Sequence, residues 1–106
     1  MTEQELSQRL GLELKHLRSI KEILVCNLSS DFDVHAFGSR TTGSAKQFSD
    51  LDLCITGSTL SFSQMTKIKD DFSESDLPIF VDIIQVKDIS DSFKQIIEKD
   101  FIKIPF

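Results

Sequence analysis

Apolar residues recur at intervals of three and four over the first part of the chain. Leucine or isoleucine stands at each of these positions: Leu6, Leu10, Leu14, Leu17, Ile20, Leu24 and Leu28. This spacing follows one face of an α-helix. It predicts a single long amphipathic helix from about Thr2 to Leu28. Gly11 lies inside this span, where glycine costs about 1 kcal/mol relative to alanine and weakens the first turns.

Three short segments have the composition of β-strands. The first, "DVHAFG", ends at Gly38, and the second, "LDLCIT", runs from Leu51 to Thr56. The third is "IFVDIIQV", which is apolar on both faces except at Asp82 and Gln85. Pro78 precedes this third segment and forces it to begin in an extended conformation.

Two further helices complete the pattern. One spans about Ser61 to Ser75, and its apolar positions are Phe62, Met65, Ile68 and Phe72. The other begins with Asp88 as its N-cap, and its apolar positions are Ile89, Phe93, Ile96 and Ile97. The order helix, strand, strand, helix, strand, helix predicts an α/β (α+β) fold, a small mixed sheet flanked by helices. We expect one domain over residues 1–106.

Composition and charge narrow the classes of function. The chain has 40% hydrophobic and 27% charged residues, as ordinary globular domains do. Its net charge of -5 gives no general attraction to nucleic acid or to anionic membranes, so no direct nucleic acid binding is expected. No apolar run approaches the length that spans a bilayer and no signal peptide is apparent, so we expect a cytoplasmic protein.

Asp50 and Asp52 stand at the head of the second strand. Because side chains alternate along a strand, these two carboxylates lie on one face about 7 Å apart, opposite Leu51. Two like charges this close raise the pKa of one carboxyl group unless a cation lies between them, and their oxygens suit Mg²⁺. The pair alone is weak evidence, since the spacing also occurs at Asp31 and Asp33, which are interpreted as helix-end and turn residues.

Asp82 interrupts an otherwise apolar strand. A lone ionised carboxylate that is desolvated without a partner costs several kcal/mol. One interpretation puts Asp82 on an edge strand with its face in water. In the other, the third strand lies beside the second and Asp82 completes a three-carboxylate cluster, as a site for two divalent cations in phosphoryl or nucleotidyl transfer requires. Its rivals as the third acid lie on or near the preceding helix: Asp70, Asp71 and Asp76.

The segment "GSRTTGS" follows the first strand with groups that suit a phosphate. Gly38 lets the backbone approach the anion closely, and Ser39 offers an N–H group and a hydroxyl. A short polar helix or turn is predicted next, with N–H groups facing the same anion, over Thr41, Thr42, Gly43 and Ser44. Arg40 is favoured as a phosphate contact, whereas Lys46 fits a solvated position equally well.

The spacing of these elements resembles a known signature. Gly38-Ser39, ten residues and then Asp50-Leu51-Asp52 match the GSx(10)DxD motif of the DNA polymerase β-like nucleotidyltransferases. The stretch "GSRTTGSAKQFSDLDLCI" is similar to the minimal nucleotidyltransferase group, and the likeness extends over the chain in length and element order. The nucleotidyltransferase fold is therefore expected.

The resemblance also implies a site. Gly38 and Ser39 would contact the triphosphate of ATP. The residues of the following turn, rather than the resemblance, make Arg40, Gly43 and Ser44 further candidate nucleotide contacts. Asp50 and Asp52 would be ligands of both ions in a two-metal Mg²⁺ site. Asp82 would bind the catalytic ion and help to take a proton from the acceptor hydroxyl.

Finally, the resemblance implies a partner. Such proteins are typically antitoxins paired with a HEPN-domain ribonuclease toxin in a hetero-oligomer, and the family activity transfers AMP from ATP to a tyrosine of the toxin. Because a chain of this length leaves no room for an acceptor-binding domain, a docked partner is expected to present the acceptor. The tail "FIKIPF" or the first helix would dock it, unless both only pack on the core. The alternatives are an antitoxin that inhibits by binding alone, and a transferase for a small-molecule acceptor.

Overall fold

The computed structural model describes residues 1–106, which form a four-stranded sheet with helices on both faces. The helices are α1 (Glu3–Leu10), α2 (Leu14–Asn27), α3 (Ser39–Thr42), α4 (Phe62–Ser73) and α5 (Asp91–Glu98). The strands are β1 (Phe32–Phe37), β2 (Leu51–Gly57), β3 (Val81–Gln85) and β4 (Ile102–Lys103), and a 3₁₀ turn covers Val86–Asp88. None of the helices combines the length and apolar character needed to cross a lipid bilayer.

The sheet has the strand order β3-β2-β1-β4. Strand β1 is antiparallel to both β2 and β4, whereas β2 and β3 are parallel. This confirms the predicted small mixed sheet flanked by helices. Helix α4 joins the two parallel strands. In the strand order, β3 lies at one edge of the sheet and β4 at the other.

The amino-terminal helix is interrupted, so the prediction of one helix from Thr2 to Leu28 is wrong. Helix α1 ends because Gly11 adopts a left-handed conformation with φ of 66°. The Gly11 N–H donates to the Gln8 carbonyl at 3.1 Å and closes the last turn. Helix α2 then begins at Leu14. The apolar periodicity carries across the break because both helices pack on the same core.

The main core lies between one face of the sheet and helices α1, α2 and α4. Alternate residues of strands β1, β2 and β3 point into it: Val34, Ala36, Leu51, Leu53, Ile55, Val81 and Ile83. The helices contribute Leu6, Leu10, Leu17, Ile20, Leu24, Ile68 and Phe72. The aliphatic side chains of β2 are therefore on the face that the alternation predicted, and Asp52 is on the opposite face.

Helix α5 covers part of that opposite face. Phe37, Cys54 and Ile97 form a small buried cluster there, and burial raises the pKa of the Cys54 thiol to about 11. The N-cap of α5 is Ser90, whose hydroxyl accepts a hydrogen bond from the Phe93 N–H at 3.2 Å. The prediction that Asp88 caps this helix is therefore wrong.

The tail forms the second edge of the sheet. Ile102 pairs with Ala36 of β1, and Lys103 pairs with His35. Ile104 is completely buried. The tail is therefore part of the packed domain, at the edge of the sheet away from β3.

Candidate active site

Three strand ends meet at one edge of the sheet. Because β1 is antiparallel to β2, the carboxyl end of β1 lies beside the amino ends of the parallel strands β2 and β3. The register pairs Phe37 with Asp52, and Asp52 with Asp82. Neighbouring strands are about 5 Å apart, so Gly38, Asp52 and Asp82 follow one another across the sheet. The third strand thus lies beside the second, the condition for an acidic cluster.

Asp52 lies at the centre of this row and is only partly exposed. Burial raises the pKa of its carboxyl group, and the negative charges of Asp82 and Asp50 raise it further. None of these three carboxylates forms an ion pair with a lysine, arginine or histidine of the chain. The charge of Arg40 acts on Asp50 without forming an ion pair, and the three carboxylates together favour a bound cation.

The structure shows the strand placement that each interpretation of Asp82 assumed. Strand β3 is an edge strand, and the Asp82 side chain is exposed to solvent. It is also the direct neighbour of Asp52 across the parallel pair. Its rival Asp71 instead accepts hydrogen bonds from Asn27 and Lys67, both at 2.8 Å. Asp82 is thus the acid that the fold brings next to Asp52.

The chemistry of these side chains suits a hard divalent cation, because Mg²⁺ prefers carboxylate oxygens. No group of three or more histidine, cysteine, aspartate or glutamate side chains is close enough to hold a metal ion as it stands. Like charges repel one another, so a cation would have to draw these carboxylates together. The donor set therefore fits Mg²⁺, whereas a preformed cage is not present.

Gly38 brings the backbone against Asp52. Its φ is 80°, and a Cβ atom on this residue would lie 2.5 Å from Oδ2 of Asp52. Helix α3 begins directly after it, and the N–H groups of Thr41 and Thr42 donate to the Gly38 carbonyl at 3.0 and 3.2 Å. These two N–H groups do not face an anion, contrary to the prediction. Those of Ser39 and Arg40, the two preceding residues, are left for a ligand.

Gly43 and Ser44 close the turn rather than opening it. Gly43 ends α3 in a left-handed conformation, and its N–H donates to the Ser39 carbonyl. The Ser44 N–H donates to the same carbonyl at 3.1 Å. The Ser44 hydroxyl, 3.0 Å from that of Thr42, is exposed. Of Gly43 and Ser44, only Ser44 therefore offers a side-chain group to a nucleotide.

Arg40 has a different environment from the predicted one. Its side chain is only 2% exposed. The guanidinium donates to the carbonyls of Leu10 and Gly11, each at 3.0 Å, and to the carbonyl of Ser49 at 2.8 and 3.1 Å. Burial lowers its pKa, while the charge of Asp50 acts in the opposite direction. Its donors are used within the chain, so the prediction of a phosphate contact is wrong.

A groove that the sequence analysis did not identify opens beside Asp82. It has a volume of about 360 Å³ and lies between the carboxyl end of α4 and strand β3. Its lining includes Phe72, Leu77, Ile79, Phe80 and Asp82. The Phe80 side chain is 64% exposed. The signal for this groove in the sequence was Phe80, two residues before the candidate catalytic acid Asp82. Periodicity alone assigns Phe80 to a strand and does not indicate a groove.

Comparison with known proteins adds independent findings. Residues 17–104 match the family model described as "Nucleotidyltransferase domain". The chain is 41% identical over 97 residues to "Probable protein adenylyltransferase MntA" of Haemophilus influenzae, which covers 91% of this chain and 84% of that relative. A solved structure described as "Crystal structure of the toxin-antitoxin with AMP-PNP" has the same fold, with a TM-score of 0.68 and 20% identity over 84% of this chain and 72% of that chain.

Proposed function

This chain belongs to the nucleotidyltransferase domain family, and on that premise we propose that it is an antitoxin that transfers AMP from ATP to a hydroxyl of its toxin. One observation carries the proposal. Asp52 lies between Gly38 and Asp82 on adjacent strands, in a row of carboxylates whose charge has no ion-pair partner in the chain. A polyphosphate-binding turn and a cation-binding cluster would thus be side by side.

In the proposed reaction the acceptor hydroxyl oxygen attacks the α-phosphorus of ATP. A bond forms between these atoms while the bond from the α-phosphorus to the oxygen that bridges to the β-phosphate breaks, and pyrophosphate leaves. The hydroxyl proton passes to the carboxylate of Asp82, which is exposed and able to reach an acceptor. Ser39 holds the triphosphate through its N–H and hydroxyl, at a point where Gly38 keeps the backbone close to the acids.

Asp50, Asp52 and Asp82 are the proposed ligands of Mg²⁺. When bound, the ions activate the attacking hydroxyl and stabilise the charge that develops on the phosphates. The raised pKa of Asp52 supports this assignment. Burial and the two neighbouring acids destabilise the ionised form of this carboxyl group, and a bound cation would stabilise it.

The proposed acceptor is a tyrosine of a HEPN-domain ribonuclease. The name of the Haemophilus influenzae relative supports a protein acceptor, and the toxin-antitoxin neighbour supports a toxin partner. The HEPN identity and the tyrosine follow from the resemblance of Gly38-Ser39 and the Asp50-Leu51-Asp52 triplet to the minimal nucleotidyltransferase group. ATP as the donor is consistent with the AMP-PNP of that neighbour.

The test is the intact mass of a HEPN-domain toxin supplied as the acceptor, after incubation with this protein, ATP and Mg²⁺. We expect mass increases in whole AMP units that disappear with Asp52→Ala. Asp31→Ala is the matched control, since Asp31 belongs to the other Asp-x-Asp pair, is exposed and forms no ion pair. A toxin that is bound and silenced without a mass change would support inhibition by binding alone. No interaction at all would support a small-molecule acceptor.

A further inference from the structure

The groove beside Asp82 has a fixed position relative to the proposed nucleotide site. The strand order β3-β2-β1 places Gly38, Asp52 and Asp82 in sequence across the sheet. The groove begins at Asp82 and lies along β3, which is the edge strand, so its outer side is open to solvent. In the direction across the strands, the phosphate-binding turn and the groove are therefore on opposite sides of the acid row. The groove extends around the β3 edge: α4, Val81 and Ile83 line it on the core face, and Asp82 lines it from the face that also carries Asp52.

In-line transfer assigns these two sides to different substrates. The attacking and leaving oxygens stand on opposite sides of the transferred phosphorus. With the pyrophosphate leaving group held at Gly38 and Ser39, the acceptor has to approach from the side of Asp82. The groove is the concave surface on that side.

We propose that this groove binds the acceptor: an apolar, hydroxyl-bearing segment of the partner protein, flanked by basic residues. The inference rests on the proposed function and names the surface that positions its acceptor. A groove of about 360 Å³ is within the usual range of ligand pockets, roughly 300–1,000 Å³. Six of its ten lining residues are hydrophobic, so an apolar segment gains by burial there.

Exposed aromatic residues enlarge this surface. Phe80, 64% exposed, lines the groove. Phe48, 65% exposed, lines a neighbouring depression that shares Ile79 with the groove. Exposed aromatic side chains beside a pocket are typical anchors of protein interfaces. The apolar surface thus continues from Asp82 toward the loop that precedes Asp50.

The charge of the groove specifies the flanks of the segment. Asp70 and Asp82 line it, and Lys69 is its one positive lining residue. None of these three side chains takes part in an ion pair within the chain. The chain as a whole carries a net charge of -5. Basic residues beside the acceptor hydroxyl would complement this surface and speed association at low salt.

The decisive variant is Phe80→Ser. The main-chain carbonyl of Phe80 accepts a hydrogen bond from the Leu51 N–H at 3.0 Å, and a side-chain substitution leaves that bond in place. We expect the KM for the HEPN protein to rise at least about 10-fold, as for loss of an interface anchor, with unchanged affinity for AMP-PNP. Phe62→Ser is the matched control, because Phe62 is 90% exposed at the opposite end of α4, and it should leave both quantities unchanged.

A second variant tests the negative charge of the groove. It also keeps the inference testable if Phe80→Ser is too unstable to assay. Asp70→Asn should raise the KM for the HEPN protein at low salt and reduce the dependence of this KM on salt. Glu22→Gln is its control, since Glu22 is exposed on α2 and has no ion-pair partner.

The outcomes separate this inference from the proposed function. If the unaltered chain transfers nothing to the HEPN protein, the proposed function fails and the groove assignment fails with it. If it transfers AMP and folded Phe80→Ser and Asp70→Asn keep the original KM, only the groove assignment is overturned. A loss of AMP-PNP affinity in Phe80→Ser would assign the groove to the nucleotide and would also overturn the inference.

Discussion

Gly38 and Asp52 share one small space: a Cβ atom on the glycine would lie 2.5 Å from Oδ2 of the aspartate. The glycine also has a φ of 80°, which residues with a side chain rarely adopt. The turn after β1 and the central acid of β2 are therefore fitted to each other. A change at one residue must displace the other.

Gly38→Ala should consequently damage the site and the fold together. The positive φ costs about 1–3 kcal/mol in stability, and the methyl group pushes the Asp52 carboxylate out of the row. We expect a lower Tm and a loss of AMP transfer on the order of 100-fold, comparable to the removal of one group that stabilises a transition state. Thermal unfolding and the transfer rate of the folded protein measure the two effects.

Gly11→Ala is the matched control for backbone strain. Gly11 has a φ of 66°, and the nearest atom to an added Cβ is Nη1 of Arg40 at 3.5 Å, an ordinary contact. This variant should lose stability but keep the transfer rate of its folded fraction. If Gly38→Ala lowers the transfer rate no more than Gly11→Ala does, the contact with Asp52 has no functional weight.

Asp52→Asn should make the protein more stable while it abolishes transfer. The pKa of Asp52 is raised in the folded chain by burial and by Asp82 and Asp50. The free energy of unfolding therefore falls as the pH rises from the ordinary carboxyl range through this raised pKa. Asparagine removes that loss at neutral pH, so Tm should rise by a few degrees at most, since the partly exposed site is screened.

Magnesium provides the complementary measurement. It should raise the Tm of the unaltered chain, because a ligand of the folded state alone stabilises it, and it should leave Asp52→Asn nearly unchanged. Asp33→Asn serves as the control. Asp33 lies away from the acid row, and its Oδ1 is 3.2 Å from Nζ of Lys103. An Asp52→Asn protein that melts earlier than the unaltered chain without Mg²⁺ would show that this carboxylate is a structural group.

Much of the fold follows from local pattern. The alternation of Leu51, Leu53 and Ile55 predicted the buried face of β2, and the helical spacing after Ser61 predicted α4. The break at Gly11 could not be read from periodicity, because α1 and α2 pack on one core and their apolar positions stay in phase. Asp88 does not cap α5 because it lies in the 3₁₀ turn Val86–Asp88, and Ser90 caps the helix instead.

In the candidate site, too, the sequence placed some residues correctly and not others. Gly38, Asp50 and Asp52 are close in sequence, so the spacing of the motif was enough to place them at one edge of the sheet. Asp82 required strand pairing that the sequence left open, and the register with Asp52 supplies it. Arg40 was misplaced because its partners are main-chain carbonyls, which leave no trace in the identity of other residues.

Arg40→Met should therefore act on stability rather than on nucleotide affinity. The variant leaves the carbonyls of Leu10, Gly11 and Ser49 without their donor, and each buried polar group without a partner costs about 1–3 kcal/mol. Because some of these carbonyls can reach water, we expect a total loss of about 2–4 kcal/mol in the free energy of unfolding. Denaturant unfolding measures this loss.

Arg40→Lys separates the buried position from a phosphate contact. A lysine has one ammonium group and cannot reach carbonyls on both sides of the guanidinium, so it should recover only part of the lost stability. Arg18→Met is the control, since Arg18 is 64% exposed in its ion pair with Glu3 and should change stability by less than about 1 kcal/mol. If Arg40→Lys instead unfolds like the unaltered chain but binds AMP-PNP more weakly, Arg40 contacts the nucleotide after all. Full stability with unchanged affinity would mean that the hydrogen bonds to Ser49 and Leu10 contribute little.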